Sequence, residues 1–397
     1  MLNEKKYLKL YTEELEKYCI PFWLEHSQDK EFGGIINCVD RKGDIYSNDK
    51  SVWMQGRCGW MYSHLYNTFK KDPKYLEFAK SCIDFLDKYC FDEDGRMYFT
   101  VTRDGKPLRK RRYYFSETFY IMANIEYYGA TKEEKYLLNA RKVFELVYKI
   151  YKNPKNDPFQ IFPKVYPETR SLKAMGPSMI LLNVSFIMRQ YDEVNKDKYT
   201  SIIDECVEEI KLHYFPEYHA MLESITLDNK AFLESAPERI INPGHDLECA
   251  FFIAQEAQYR GDSKLLEFAE VVFNDAIKNG WDEEYKGILY FKDCLGKPVE
   301  AYEHDMKLWW PHNEGINASL LLYKLTGKKA YEVWFKKITK YAFNHFSDHE
   351  YGEWYGYLRR DGKTTMPPCK GHTYKGPFHV MRCLNNAIGL LDKEVKF

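Results

Sequence analysis

Asn242-Pro243-Gly244-His245-Asp246-Leu247-Glu248 closes a long loop and opens a helical segment that runs to Tyr259. Pro and Gly just ahead of a helix break the preceding conformation and turn the backbone in. The helix stops at Gly261-Asp262, and residues 263–279 read as a second helix. The unit is therefore long loop, helix, very short turn, helix. The same short turn recurs as Lys71-Asp72-Pro73, Gly129-Ala130-Thr131 and Gly327-Lys328. The period is roughly 60–70 residues, the spacing of a repeat architecture, and about six units fit.

Working outward, helices are expected over residues 8–25, 52–70, 74–89, 116–128, 133–151, 175–191, 199–214, 246–259, 263–279, 309–324, 329–346 and 379–391. The long loops carry hairpin patterns, such as Ile35-Ile36-Asn37-Cys38-Val39 before Asp44 and Met97-Tyr98-Phe99-Thr100-Val101 before Asp104-Gly105. Residues 153–173 form a proline-bearing loop, and residues 220–226 are strand-like. In each unit the helix after the long loop is apolar and aromatic, whereas the helix before it is rich in Lys and Glu. Helices with little polar surface are buried and those with a charged face lie outside. One inner and one outer helix per unit predicts an all-α fold, an (α/α)6 barrel (toroid), formed by a single domain over 1–397. Its hairpin-bearing loops gather on one face, at the N-termini of the inner helices.

Composition narrows the function classes. The chain has 397 residues, 45% hydrophobic and 17% aromatic, with net charge -1. This gives no electrostatic footprint for nucleic acid or an anionic membrane. Ten Cys without a C-x-x-C pair read as reduced thiols and a cytoplasmic location. No apolar signal region follows Met1, and no apolar run is long enough for a membrane span.

The inner-helix starts carry Gln55-Gly56-Arg57, Ser116-Glu117, Met179 with Asn183, His245 with Glu248, Trp309-Trp310-Pro311-His312-Asn313-Glu314, and His379 with Arg382. Arg, Glu and His converge with aromatics between them, which suits a sugar's apolar faces and hydroxyl rim. Taken singly, each residue has a bland reading: His245 as a capping residue, Glu314 as a buried partner of Arg57 or Arg382, Trp309 as core. His245 and Glu248 share a helix face, but a zinc site needs three or four ligands and no cluster supplies them, so no metal is expected.

Together, the segments resemble the N-acylglucosamine 2-epimerase family, whose mammalian members are also known as renin-binding proteins. The resemblance rests on Trp53-Met54-Gln55-Gly56-Arg57, Phe115-Ser116-Glu117-Thr118-Phe119-Tyr120, Asn242–Glu248, Asp305–Glu314, Tyr351-Gly352-Glu353-Trp354-Tyr355-Gly356-Tyr357-Leu358 and Lys375-Gly376-Pro377-Phe378-His379-Val380-Met381-Arg382. It implies an (α/α)6 barrel and cofactor-free epimerisation at C2 of a free sugar, N-acetylglucosamine to and from N-acetylmannosamine. It implies that Arg57, His245, Glu314 and His379 are essential, with Glu248 also assigned to catalysis. Arg382, Trp309, Glu117, Asn183, Met179 and Trp354 are expected to bind substrate. It further implies ATP as a non-hydrolysed allosteric effector in several members, and a homodimer.

The chemistry agrees with the residue types. Removing the C2 proton of the open-chain sugar gives an enediolate. Histidine can take and return a proton near neutral pH, and Arg57 can hold the oxyanion. Inversion needs a group on each face, which assigns His379 as the base for one epimer and His245 for the other. Related enzymes keep both His yet act as aldose–ketose (mannose-type) isomerases, or as 2-epimerases of an unacylated sugar such as mannose or cellobiose. The cellobiose epimerases are expected to carry a further His on the third inner helix, where this chain has Asn183. Gly315 stands where a small residue such as Ala is expected, and is read as loosening the pocket wall. A glycoside hydrolase using Glu117 and Glu314 as its carboxylate pair is the competing chemistry.

Overall fold

A computed structural model describes residues 2–110, 113–153, 166 and 168–392. The chain opens with α1 (Glu4–Glu13), a π-helical stretch over Glu14–Cys19, and α2 (Ile20–His26). It continues through α3 (Val52–Thr68), α4 (Pro73–Tyr89), α5 (Phe115–Thr131), α6 (Glu134–Lys152), α7 (Gly176–Tyr191) and α8 (Lys196–Leu212). It ends with α9 (Pro243–Arg260), α10 (Ser263–Gly280), α11 (Trp309–Thr326), α12 (Lys329–His345) and α13 (His379–Asp392).

Odd-numbered helices from α3 to α13 form the inner layer, and α4 to α12 the outer layer. The N-terminal helix packs outside α13 and completes the outer ring, while α13 meets α3 and closes the inner one. Burial follows the sequence reading. Every residue of α11 from Trp309 to Leu322 is buried, whereas α12 buries one face only. The two-residue turns have a physical cause at Gly261-Asp262. Gly261 ends α9 in the left-handed conformation (φ 65°), and the Asp262 carboxylate accepts from the backbone of Lys264 and Leu265 to start α10.

Two expectations need correction. The single helix over 8–25 is interrupted by a π turn. That turn buries Glu14, which accepts hydrogen bonds from Trp354 Nε1 at 2.7 Å and Ser347 Oγ at 2.5 Å. Second, the loop strands pair largely between neighbouring loops rather than within one. Lys50–Ser51 pairs with Thr100–Val101, Leu172–Ala174 with Ser224–Thr226, Ile240–Ile241 with Lys292–Asp293, and Lys307–Leu308 with Tyr357–Leu358. Cys38–Val39 with Ile45–Ser47, Thr100–Val101 with Pro107–Arg109, and Tyr214–Phe215 with Ala220–Met221 do close locally, as expected for hairpins, and single bridges such as Leu358 to Thr364 add to them. Most of the loop expected over 153–173 lies outside the described residues.

Ion pairs centred on buried carboxylates reinforce this stitching. Asp29 holds Arg103 from the next loop at 2.9 Å and Lys50 at 2.9 Å. Asp282 holds Arg360 at 3.0 Å and Lys307 at 2.9 Å, and Asp348 holds Arg41 at 2.8 Å and Lys370 at 3.1 Å. Burial alone would raise these three carboxylates, but their Arg and Lys partners hold them well below the usual range. The loop face is thus a pinned rim around the inner-helix N-termini.

Candidate active site

Three inner helices place a charged residue at the same depth. Arg57, Glu248 and Glu314 are each the sixth residue of α3, α9 and α11. His379 is the first residue of α13, and Arg382 lies one turn along the same face. Local sequence sets each start. Asn242 caps α9, its Oδ1 accepting from Gly244 N at 3.1 Å and His245 N at 3.3 Å. Gly244 is required by close approach, since a Cβ there would lie 2.5 Å from the Trp310 ring. The start of α11 is held by Trp309 N donating to Gly356 O at 3.2 Å.

The centre is a buried charge network. Arg382 Nη2 donates to Glu314 Oε1 at 2.5 Å and to Glu248 Oε1 at 2.8 Å. His379 Nδ1 lies 2.9 Å from the same Glu314 oxygen. One Glu314 oxygen therefore contacts both Arg382 and His379, and of the two arginines expected as its partner it is Arg382 that donates to it. Burial would lower Arg382, but Glu314 and Glu248 raise it above its ordinary value. Arg57 reaches Tyr374 O at 3.4 Å, and its guanidinium lies 4.3 Å from the Phe119 ring centre. Burial pulls Arg57 down from its ordinary value, with Glu248 pushing back, and it stays charged near neutrality.

Both histidines approach the same Trp310 ring, which is 5.1 Å from His245 and 5.9 Å from His379. Their surroundings differ in sign. His245 Nδ1 lies 2.8 Å from Glu223 Oε1. Burial alone would lower His245, but the Glu223 carboxylate, helped by Glu248, raises it above its ordinary value. His379 is pushed well below its ordinary value by burial and by the Arg57 and Arg382 charges. The two imidazoles are thus shifted in opposite directions, His245 towards keeping a proton and His379 towards releasing one, as an acid–base pair requires. In each ring Nδ1 is engaged by a carboxylate, leaving Nε2 as the nitrogen for a substrate.

The remaining expected residues separate. Trp309 stands edge-on to His379 at 6.3 Å and to His372 at 5.5 Å. Met179 is buried in the first turn of α7. Asn183 lines a cavity of about 60 Å³ together with Arg382, His64, Gln255 and Asn386. Glu117 is not brought to the charge network: its carboxylate is fully buried and takes Arg96 Nε at 2.7 Å and Met97 N at 2.9 Å. Trp354 is likewise a core residue, stacked on Phe346 and tied to Glu14. Gly315 fills rather than loosens its site, because a Cβ would meet Ile288 Cδ1 and Ile338 Cδ1 at 3.1 Å each. Glu223 escapes the sequence reading. It lies inside the strand-like run 220–226, and its role appears only when that loop folds beside α9.

Glu248, Glu314 and His379 bring ligand-type atoms within 4.8 Å of one another. Arg382 already donates to both carboxylates of this set, so an ion there would have to displace a guanidinium. The residues present do not fit a metal centre.

The family model described as N-acylglucosamine 2-epimerase matches residues 34–383. The chain is 37% identical to the N-acylglucosamine 2-epimerase of Rattus norvegicus, covering 92% of this chain and 87% of that protein. It is 35% identical to that of Homo sapiens, with coverages of 97% and 91%. Among solved structures, the cellobiose 2-epimerase from Bacillus thermoamylovorans superposes with a TM-score of 0.84 at 20% identity, covering 97% of this chain and 99% of that one.

Proposed function

We infer the reaction from one premise: the chain belongs to the N-acylglucosamine 2-epimerase family. It is an isomerase acting on carbohydrate. Its substrate in our reading is a free N-acyl sugar, N-acetylglucosamine interconverting with N-acetylmannosamine at C2. The observation that carries this reading is the pair His245 and His379, both against the Trp310 ring and shifted in opposite directions by their surroundings, with Arg57 acting on His379.

The open-chain sugar lies between the two imidazoles. Neutral His379 takes the C2 proton through Nε2, and the electron pair moves onto the carbonyl to leave an oxyanion at O1. Arg57 stabilises that oxyanion in a site with little water. Protonated His245 then delivers its proton to the opposite face of C2. Glu314 fixes the His379 ring, and Arg382 neutralises Glu314 and Glu248 so that neither carboxylate draws a proton onto His379. Non-hydrolysed ATP as effector, a homodimer and a cytoplasmic location belong to the same proposal and rest on the family resemblance and the ten unpaired thiols. So does the reading of 1–397 as one catalytic domain. No helix among the described residues is long and apolar enough to cross a membrane.

Incubating the protein with N-acetylmannosamine in D₂O tests the reading. N-acetylglucosamine bearing deuterium at C2 is the expected product. A ketose product would redirect the assignment to an isomerase, and absence of C2 exchange for every free aldose would end the proton-abstraction mechanism.

Glu223 gives a separate expectation. Its carboxylate raises His245, so the wild-type acid persists until pH climbs above that raised value. In Glu223→Gln the raising charge is gone while burial still lowers the imidazole. The alkaline limb of kcat/KM should therefore move to lower pH. A profile superimposable on wild type would remove Glu223 from the mechanism.

A further inference from the structure

Asn242 does two things at the start of α9. Its Oδ1 caps the helix, accepting from Gly244 N at 3.1 Å and His245 N at 3.3 Å. Its Nδ2 lies 3.1 Å from His245 Nδ1. The amide cannot turn over, because its NH2 would then face two backbone N–H groups. The oxygen is therefore fixed at the cap and the nitrogen at the imidazole, and the whole residue is buried. Ser, Thr and Asp are also good helix caps. Of these residues, Asn is the one that, with its oxygen occupied at the cap, still aims an amide N–H at the ring.

A group of the opposite kind meets the same nitrogen. Glu223 Oε1 lies 2.8 Å from His245 Nδ1. The Glu223 backbone is tied on both sides, its N donating to Ile240 O at 3.3 Å and its O accepting from Met175 N at 3.0 Å. Nδ1 thus sits between a fixed acceptor and a fixed donor. A ring protonated at Nδ1 donates to Glu223 and meets Asn242 donor to donor. A ring bare at Nδ1 accepts from Asn242 and meets the Glu223 carboxylate acceptor to acceptor. The other titratable groups acting around this ring are Glu248 on α9 and His379 from α13, while Asp246 is near Glu223 and is raised by burial and by that charge. The uncharged Trp310 ring from α11 lies 5.1 Å away.

We propose that Asn242 is a positioning residue of the epimerase, whose side-chain N–H opposes Glu223 at His245 Nδ1 and keeps the imidazole able to release its proton. The inference rests on the epimerase reading and adds the group that tunes its acid. Glu223 alone would fix a proton at Nδ1 and strengthen the hold on the one at Nε2. The Asn242 donor makes the doubly protonated ring less stable, so the Nε2 proton passes to C2 more readily. It also gives the neutral ring a second tautomer, with its one proton on Nε2 and Nδ1 accepting from Asn242. The neutral Nδ1–H tautomer, held by Glu223, is the one whose bare Nε2 takes a proton in the reverse direction.

Asn242→Asp tests this, because Asp keeps the cap and sets a second acceptor where the donor was. Protonated His245 should then persist further, and the alkaline limb of kcat/KM should move to higher pH, opposite to the shift in Glu223→Gln. In the direction that uses His245 as the acid, kcat should fall by about 10-fold with KM little changed. ¹⁵N NMR of histidine-labelled protein, with His245→Asn identifying the signals, should show neutral His245 as a mixture of tautomers in wild type and as Nδ1–H alone in Asn242→Asp. Asn242→Ser keeps a cap and removes the amide donor, so it should move both readouts the same way, and it serves if the Asp variant does not fold. If Asn242 only caps α9, both variants keep the wild-type limb and nitrogen signals with at most a lower melting temperature, and that result overturns the proposal. The nitrogen signals are read without sugar. A tautomer change in a protein that exchanges C2 of no aldose would leave the hold of Asn242 on His245 standing while the epimerase reading falls.

Discussion

His379→Asn should lose interconversion of the two epimers by at least about 10³-fold, within the range that a positioned general base contributes. The expected pattern is more informative than the loss. His245 remains on the other face of C2 with its Glu223 partner, 2.8 Å away. It can still remove and return the proton of the one epimer whose C2–H points at it. In D₂O the variant should therefore label one epimer at C2 without inverting it. His245→Asn should label the opposite epimer. Nuclear magnetic resonance of each recovered sugar reads both outcomes directly. If either variant still exchanges both epimers, one residue serves both faces and the two-sided mechanism is wrong. If each variant exchanges neither, the two imidazoles act as one unit rather than as independent bases. Asn is the suitable replacement because it retains a polar group of similar reach while removing the titratable nitrogen.

The two histidines were legible in the sequence for a definite reason, and their difference was not. The inner helices announce themselves by apolar residues on most of their faces, so the loop-fed starts at Asn242–Glu248 and Gly376–Arg382 could be placed on one rim from the chain alone. What separates His245 from His379 is supplied by residues distant in the chain. Glu223 lies in a loop between α8 and α9, and Arg57 comes from α3. A carboxylate in a short strand-like run carries no mark of its partner. The same limit explains the loop strands. Two-residue strands such as Lys307–Leu308 pair with a neighbouring loop about 50 residues away, and no local periodicity encodes that choice. Glu117 and Trp354 sit at motif positions that resemble site residues, yet the fold uses them to anchor loops, on Arg96 and Glu14 respectively. Gly315 shows the converse. Its meaning depends on Ile288 and Ile338, which lie on other elements.

Arg382→Leu should be the most damaging single change to both stability and catalysis. The wild-type guanidinium is 4% exposed and donates to Glu314 and Glu248 at once. Removing it leaves two carboxylates in a buried site with Arg57 as the nearby positive charge. Losing one member of a buried ion pair costs about 3–5 kcal/mol, because the remaining charge is uncompensated. The urea midpoint of the variant should therefore lie well below that of wild type. Catalysis fails for a linked reason. A displaced Glu314 no longer holds His379 at Nδ1, so the base loses its tautomer and its orientation together. Adding Glu248→Gln removes one of the stranded charges without restoring the histidine's positioning. The double variant should accordingly regain part of the stability and none of the C2 exchange. Recovery of both would mean that Arg382 acts only through charge balance; recovery of neither would mean that its packing against Phe378 and Phe252 outweighs its ion pairs.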